Sequence, residues 1–286
     1  MMYNNYVLVL KREGNMSDYK KIGFIGSGKM AGAIIKGLIK THTVDSNCIM
    51  ATKSNKEGLE EKSQELGVKI ILDNKELVKN SDIIFVSVKP NQVLGILEEI
   101  KSFVTSDKLI VSIAAGVNIN KIEANLHENS KVIRVMPNTP ALVGEGMSGI
   151  VGGKVSAEDI EFVKSLFSTI GKCVVVDNED QLDIVTAISG SGPAFYYKVI
   201  NEIARAGEKL GMDYEKALLL SIQTAIGAGK MALNRDISME QLISNVATKG
   251  GCTAVGVDCM NENNTEKLFY DVIKSTTEKA HALGGG

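Results

Sequence analysis

Ile22-Gly23-Phe24-Ile25-Gly26-Ser27-Gly28-Lys29-Met30-Ala31-Gly32 decides how the first half of this chain folds. A short apolar strand runs into Gly-x-Gly-x-x-Ala, and an apolar helical pattern follows at once. Gly26 permits the tight turn, Gly28 lets backbone approach a pyrophosphate, and a small Ala31 lets the new helix pack closely on the strand. The pyrophosphate then rests on the free N–H groups and positive dipole end of that helix. By itself the glycine pattern equally fits a sharp strand-to-helix turn. The readable strand before it and helix after it favour a dinucleotide.

From Lys20 to about Val176 the pattern alternates strand and helix. Strand-length apolar runs fall at Ile22–Ile25, Ile49–Ala51, Ile83–Val88, Leu109–Ile113 and Val132–Val135. Helical spacing falls between them, at Ala31–Ile39, Lys56–Leu66, Val93–Phe103 and Ile119–Leu126. Gly149–Gly152 and Cys173–Val176 add two further strands around a helix over Ala157–Ile170. This rhythm predicts an α/β Rossmann domain, with a doubly wound and mostly parallel sheet, over 20–177. Near Asp177 the character changes. Helical stretches run Glu179–Ser189, Pro193–Leu210, Tyr214–Leu233, Met239–Val246 and Thr265–Leu283, predicting an all-α domain over 178–286. Ala217–Met231 is apolar on more than one face, and such a helix is buried on all sides. So small a domain lacks the cover, which favours a dimer over packing on the nucleotide domain. The Gly284-Gly285-Gly286 tail is expected to be disordered.

The 286 residues carry a net charge of −2 with both signs spread along the chain, so no nucleic-acid or membrane footprint shows. No apolar run approaches the ~18 residues a membrane span requires. The four cysteines, Cys48, Cys173, Cys252 and Cys259, show neither C-x-x-C nor zinc spacing, which points to reduced thiols in the cytoplasm and to no metal. Residues 1–19 precede the fold signal. Arg12-Glu13-Gly14 is what a purine-rich ribosome-binding site gives when read as protein, so Met1–Asn15 is expected to be leader and Met16 the start.

The second strand runs into Thr52-Lys53-Ser54-Asn55-Lys56, where a site for NAD places a carboxylate on the ribose 2′-OH. Hydroxyls, an amide and two lysines suit a 2′-phosphate instead, so NADPH is the expected cofactor, with NADH as the alternative. Further segments lie where strand ends meet the crevice: Val88-Lys89-Pro90, Ser112-Ile113-Ala114-Ala115-Gly116 and Met136-Pro137-Asn138-Thr139-Pro140. Small residues there admit a flat ring, and prolines make rigid walls. In the helical half, Ser189-Gly190-Ser191-Gly192-Pro193-Ala194 enters a helix with Pro193 near its start. Asn245-Val246-Ala247-Thr248-Lys249-Gly250-Gly251-Cys252-Thr253 ends one helix and opens another, a turn suited to gripping a carboxylate.

With these segments in the order found, the sequence resembles pyrroline-5-carboxylate reductases over essentially Lys20–Leu283. The resemblance implies a Rossmann domain with a helical domain interlocked in a dimer, dimers assembled into rings such as a decamer, and NAD(P)H-dependent reduction of 1-pyrroline-5-carboxylate to L-proline. By position it implies that Gly26, Ser27, Gly28, Lys29, Met30 and Ala31 hold the pyrophosphate. Thr52 and Ser54 then lie by the adenosine ribose, and Asn74 and Glu179 near the cofactor. Val88, Lys89, Pro90, Ala114 and Ala115 line the path to the nicotinamide. Asn245, Gly250, Gly251, Cys252 and Thr253 bind substrate, together with Met136, Pro137 and Asn138. Glu179 is equally readable as a helix N-terminal carboxylate favoured by the dipole. Lys249 replaces the proline usual before Gly-Gly, and Cys252 stands where Thr or Ala is common.

A protonated imine is already electrophilic, so no potent general acid is required. The three histidines, His42, His127 and His281, fall in no motif. Thr253 is the candidate catalytic residue, hydrogen-bonding the ring nitrogen, with the proton drawn from water or substrate. Two other readings stand beside this one. A 3-hydroxyacid dehydrogenase would use Lys198 and Asn201, although Lys198 falls too late to point the right way. A non-catalytic nucleotide-sensing regulator would need no carboxylate-gripping loop.

Overall fold

The computed structural model describes residues 20–233 and 236–284. The expectations for Met1–Asn15 and Met16 lie outside them, as do Gly285 and Gly286. Gly284 is not loose: it is the last residue of the final helix, Thr265–Gly284. The chain divides into two compact units. One takes in the described residues up to Gly190 together with the chain end from Thr276; the other is Ser191–Ser275.

The first unit is built on one sheet of eight strands. These are β1 (Ile22–Ile25), β2 (Ile49–Thr52), β3 (Lys69–Ile71), β4 (Ile83–Val86), β5 (Leu109–Ser112), β6 (Lys131–Met136), β7 (Gly146–Gly152) and β8 (Gly171–Val175). The order is β3-β2-β1-β4-β5-β6-β7-β8. All neighbours run parallel except β6 and β7. The chain winds outward in opposite directions from β1 and β4, which opens a crevice beyond their carboxyl ends. Seven strands were expected. β3 is the addition: Lys69-Ile70-Ile71 is too short to stand out from its polar flanks.

Helices α1 (Lys29–Lys40), α2 (Leu59–Leu66), α3 (Asn74–Lys79), α4 (Pro90–Ile100), α5 (Ile119–Ala124), α6 (Ala157–Phe167) and α7 (Glu179–Val185) belong to this unit, as does the end of the last helix. Because side chains alternate across a strand, β1 sends Phe24 to one face and Ile25 to the other, and β4 does the same with Phe85 and Val86. On one face Phe24, Phe85 and Phe167 pack with Ile34, Ile35 and Leu38 of α1. Phe24 and Phe85 stack with ring centroids 4.4 Å apart. On the other face Ile25 and Val86 pack with Leu77, Leu97, Ile122 and Leu182 of α3, α4, α5 and α7.

Leu182 explains why the first unit runs on past the expected division at 177/178. α7 lies on β7, where a Cβ on Gly149 would stand 2.6 Å from Val185. After α7 the chain makes a π-helical turn, Thr186–Gly190, and enters the second unit.

That unit holds α8 (Gly192–Lys209), α9 (Tyr214–Ala232), α10 (Met239–Val246), α11 (Cys252–Glu262) and most of α12 (Thr265–Gly284). α8 and α9 pack side by side, with Tyr214 donating to Asn201 Oδ1 (2.9 Å) and Ser221 to the Ile200 carbonyl (3.0 Å). α9 nevertheless leaves Leu219, Leu220, Ile222, Ile226 and Met231 exposed. Among the described residues no helix is long and apolar enough to cross a membrane.

Candidate active site

Gly26 follows β1 with φ +95°, a left-handed conformation that favours glycine. A Cβ there would also stand 2.8 Å from the Ser87 carbonyl at the end of β4. The turn is pinned from the side by Thr52, whose hydroxyl accepts the Gly26 N–H at 3.1 Å. Gly28 is the N-cap of α1. No side chain caps that helix and its first turn carries no acid, so its leading N–H groups are uncommitted. A Cβ on Gly28 would meet nothing within 4 Å. An uncapped helix end with open space above its glycine fits a pyrophosphate. Beside it the Ser87 hydroxyl is buried and has no hydrogen-bond partner.

The other expected cofactor residues arrange themselves around this crevice with differing freedom. Ser27, Lys29 and Met30 form the approach and first turn of α1, and Ala31 is buried against the sheet. Ser54 is exposed after β2. The Lys53 ammonium donates to the Glu57 carbonyl and to Asn55 Oδ1 in the loop after β2. Lys56 is exposed in the same loop. Asn74 opens α3 behind its cap Asp73, and its amide donates to Glu99 on α4 at 3.0 Å. Val88, Lys89 and Pro90 carry the chain from β4 into α4, with Lys89 as N-cap and Pro90 at the first helical position. Ala114 is buried and Ala115 exposed after β5.

Two expected ligand residues turn inward instead. Glu179 accepts the Ile119 N–H on both carboxylate oxygens, at 2.9 and 3.1 Å, and pairs with Arg134. It ties α7 to the start of α5 and to the middle of β6. Arg134 went unnoticed in the sequence, although an arginine inside Val132-Ile133-Arg134-Val135 was the signal for a buried partner. Asn138, expected against the substrate, has both ends of its amide engaged: Nδ2 donates to the Ser189 carbonyl (3.0 Å) and Oδ1 accepts the Met147 N–H (2.9 Å). Neighbouring Pro137 is buried and Met136 half-buried.

In the second unit, α10 ends just after Asn245, whose Oδ1 accepts from Gln241 at 2.8 Å. Gly250 takes φ +78°, and the Gly251 N–H donates to the Thr248 carbonyl at 2.9 Å. Gly251 then serves as N-cap of α11 with no side chain to cap the end. Cys252 and Thr253 are the first two helical residues, so their N–H groups have no intrahelical acceptor. Such an end is complementary to a carboxylate. Lys198 belongs elsewhere: it is exposed on α8 and pairs with Glu202 at 2.6 Å. Asn201 Oδ1 accepts from the Tyr214 hydroxyl. Burial pushes the Cys48 and Cys173 thiols up, while Cys252 and Cys259 lie exposed.

A family model described as pyrroline-5-carboxylate reductase dimerisation matches residues 179–283. Another, described as NADP oxidoreductase, coenzyme F420-dependent, matches residues 21–116. A pyrroline-5-carboxylate reductase of Methanosarcina acetivorans is 38% identical over 268 residues, covering 93% of this chain and 99% of the relative. The chain belongs to the pyrroline-5-carboxylate reductase family. Among solved structures of that family, the one from Coxiella burnetii superposes with TM-score 0.89 at 33% identity, covering 93% of this chain and 99% of its own. The Plasmodium falciparum enzyme, solved with NADP bound, gives 0.81 at 32% identity, covering 93% and 98%. A prephenate dehydrogenase of A. aeolicus, at 13% identity and TM-score 0.54, shares the fold alone.

Proposed function

We propose that this chain reduces 1-pyrroline-5-carboxylate to L-proline with NADPH, by hydride addition to the C=N bond of the cyclic imine. The observation that carries the reading is the uncapped start of α11 behind Gly250-Gly251, in a chain 93% of which aligns with a reductase of this name. The N–H groups of Cys252 and Thr253 take the substrate carboxylate, and the Thr253 hydroxyl hydrogen-bonds the ring nitrogen. Asn245 flanks that end. In the Rossmann domain, the turn Gly26–Ala31 holds the pyrophosphate, and Ser54 and Lys56 face the adenosine 2′-phosphate. When bound, the reduced nicotinamide supplies the hydride. No strong acid is needed, because the imine is protonated before it reacts. Orientation of the ring by fixed amides therefore supplies most of the rate.

The exposed apolar faces of the helical domain support a homodimer, with the family's ring of dimers, a decamer, as the higher assembly. Four unpaired thiols support a cytoplasmic setting.

The test is NADPH oxidation with pyrroline-5-carboxylate set against a 3-oxoacid. Only the imine is expected to turn over. Thr253→Ala should lower kcat about tenfold or more, the loss of one hydrogen bond to a charged group, while the NADPH dissociation constant stays within twofold. An unchanged kcat removes Thr253 from the mechanism.

A further inference from the structure

We propose that Asn138 is a positioning residue: it pins the π-helical turn Thr186–Gly190, fixing the point from which the chain leaves the Rossmann domain. This rests on the proposed reductase reading, in which cofactor and substrate are bound by separate stretches of the chain and the turn Thr186–Gly190 leads from one stretch to the other.

Three observations converge on the joint. First, Thr186–Gly190 is π-helical, a widened turn that recurs at functional sites because it breaks the regular ladder. Second, the turn is held by groups from two other elements. Asn138 Nδ2 donates to the Ser189 carbonyl, and Asn138 Oδ1 is itself fixed by the Met147 N–H at the start of β7. A Cβ added to Gly190 would come within 2.8 Å of the Met136 terminal methyl, so Met136 and Gly190 pack closely as well. Third, the compact first unit ends at Gly190, and α8 begins two residues later at Gly192. Asn138 is 8% exposed and its amide is turned inward on both sides. It therefore acts through the Ser189 carbonyl and not through contact with a reactant.

Two motifs that stand apart in the sequence, Met136-Pro137-Asn138 and Ser189-Gly190, thus form one lock. An aspartate at 138 keeps the acceptor for the Met147 N–H but sets an oxygen against the Ser189 carbonyl, which releases the turn and little else.

The experiment is Asn138→Asp, assayed with pyrroline-5-carboxylate and with NADPH or its 4-deuterated form. Expected are a kcat lowered tenfold or more, an NADPH dissociation constant within twofold of wild type, and a larger deuterium isotope effect as hydride transfer becomes limiting. Faster amide hydrogen exchange confined to residues 186–193 reports the released turn without reference to activity. Asn138→Ser, whose side chain is too short to reach the Ser189 carbonyl, should give the same signature and serves if Asn138→Asp fails to fold. Wild-type kcat and isotope effect, with only a lower Tm, would make Asn138 a simple structural brace and overturn the proposal. Unchanged exchange at 186–193 would overturn it too. Failure of the wild-type enzyme to turn over the imine would instead sink the reductase reading, leaving the exchange result to judge the pin.

Discussion

Two aliphatic helices of this protein are treated in opposite ways. α1 buries Ile34, Ile35 and Leu38 fully against the sheet, whereas α9, just as rich in such residues, buries only Ala217 and Ser221. Leu219, Ile222 and Ile226, spaced i, i+3, i+7 on one face of α9, remain open at 67%, 38% and 46% exposure. The Rossmann domain is thus complete within one chain, with a core on each face of its sheet. The helical domain is written for a surface that one chain does not supply. An exposed aliphatic stripe along one helix face suits an association site, which agrees with the dimerisation model matched by residues 179–283.

Breaking the stripe should have the largest effect. Leu219→Glu with Ile226→Glu places two charges where a partner is expected, and each buried aliphatic chain contributes about 1.5–3 kcal/mol to such an interface. Light scattering after gel filtration should show monomers, and reductase activity should be lost. Leu94 is comparably exposed, at 43%, but lies on α4 of the Rossmann domain. Leu94→Glu should leave assembly and activity intact. Dimers that survive the α9 changes would refute the contrast.

Phe85→Ala approaches the contrast from the other side. Phe85 is fully buried and stacks on Phe24, with Phe167 beyond it. Its truncation should lower stability by about 3–5 kcal/mol, read from denaturant unfolding. The loss should be the same at every protein concentration, because this core is satisfied within one chain. The wild-type Tm should rise with protein concentration, as expected of an associating chain, and the monomeric α9 variant should lose that dependence.

The two domains were also unequally legible in the sequence. Apolar runs placed seven of the strands because a parallel sheet buried on both faces needs continuous aliphatic runs. β3 and α3 escaped because they are short and polar-flanked: α3 is announced chiefly by Asp73, whose carboxylate caps the N–H groups of Lys75 and Glu76. α2 begins at Leu59, later than its periodicity suggests, because Gly58 is left-handed. The turn at Gly26 was readable because a left-handed residue straight after a strand calls for glycine. Glu179 and Asn138 were not. The resemblance set Glu179 near the cofactor and Asn138 against the substrate, and nothing local to either residue tells that Ile119, Arg134, Met147 and Ser189 bond to them. Long-range hydrogen bonding is invisible to a linear pattern.

The smallest expected effect concerns pH and is confined to the Rossmann domain. Asp159 sits at the third position of α6 in a reciprocal cap: Ser156 Oγ accepts the Asp159 N–H at 3.1 Å, and the Ser156 N–H donates to Asp159 Oδ2 at 3.2 Å. Lys131 of β6 adds an ion pair at 3.1 Å. Burial acts to raise the carboxyl, but the bonds from Lys131 and Ser156 outweigh it and hold it below its ordinary value. A carboxyl lowered on folding stabilises above its unfolded value, near pH 4, and that contribution fades as pH falls through the folded value. Asp159→Asn should therefore destabilise by about 1 kcal/mol at pH 7, read as a lower Tm, and the gap to wild type should close below about pH 4. A gap that stays constant across this range would mean that the cap works through its geometry alone and that the Lys131 pairing adds nothing. Because α6 packs on β7, β8 and α1 of its own domain, the same closing gap should appear whether or not the α9 stripe has been broken.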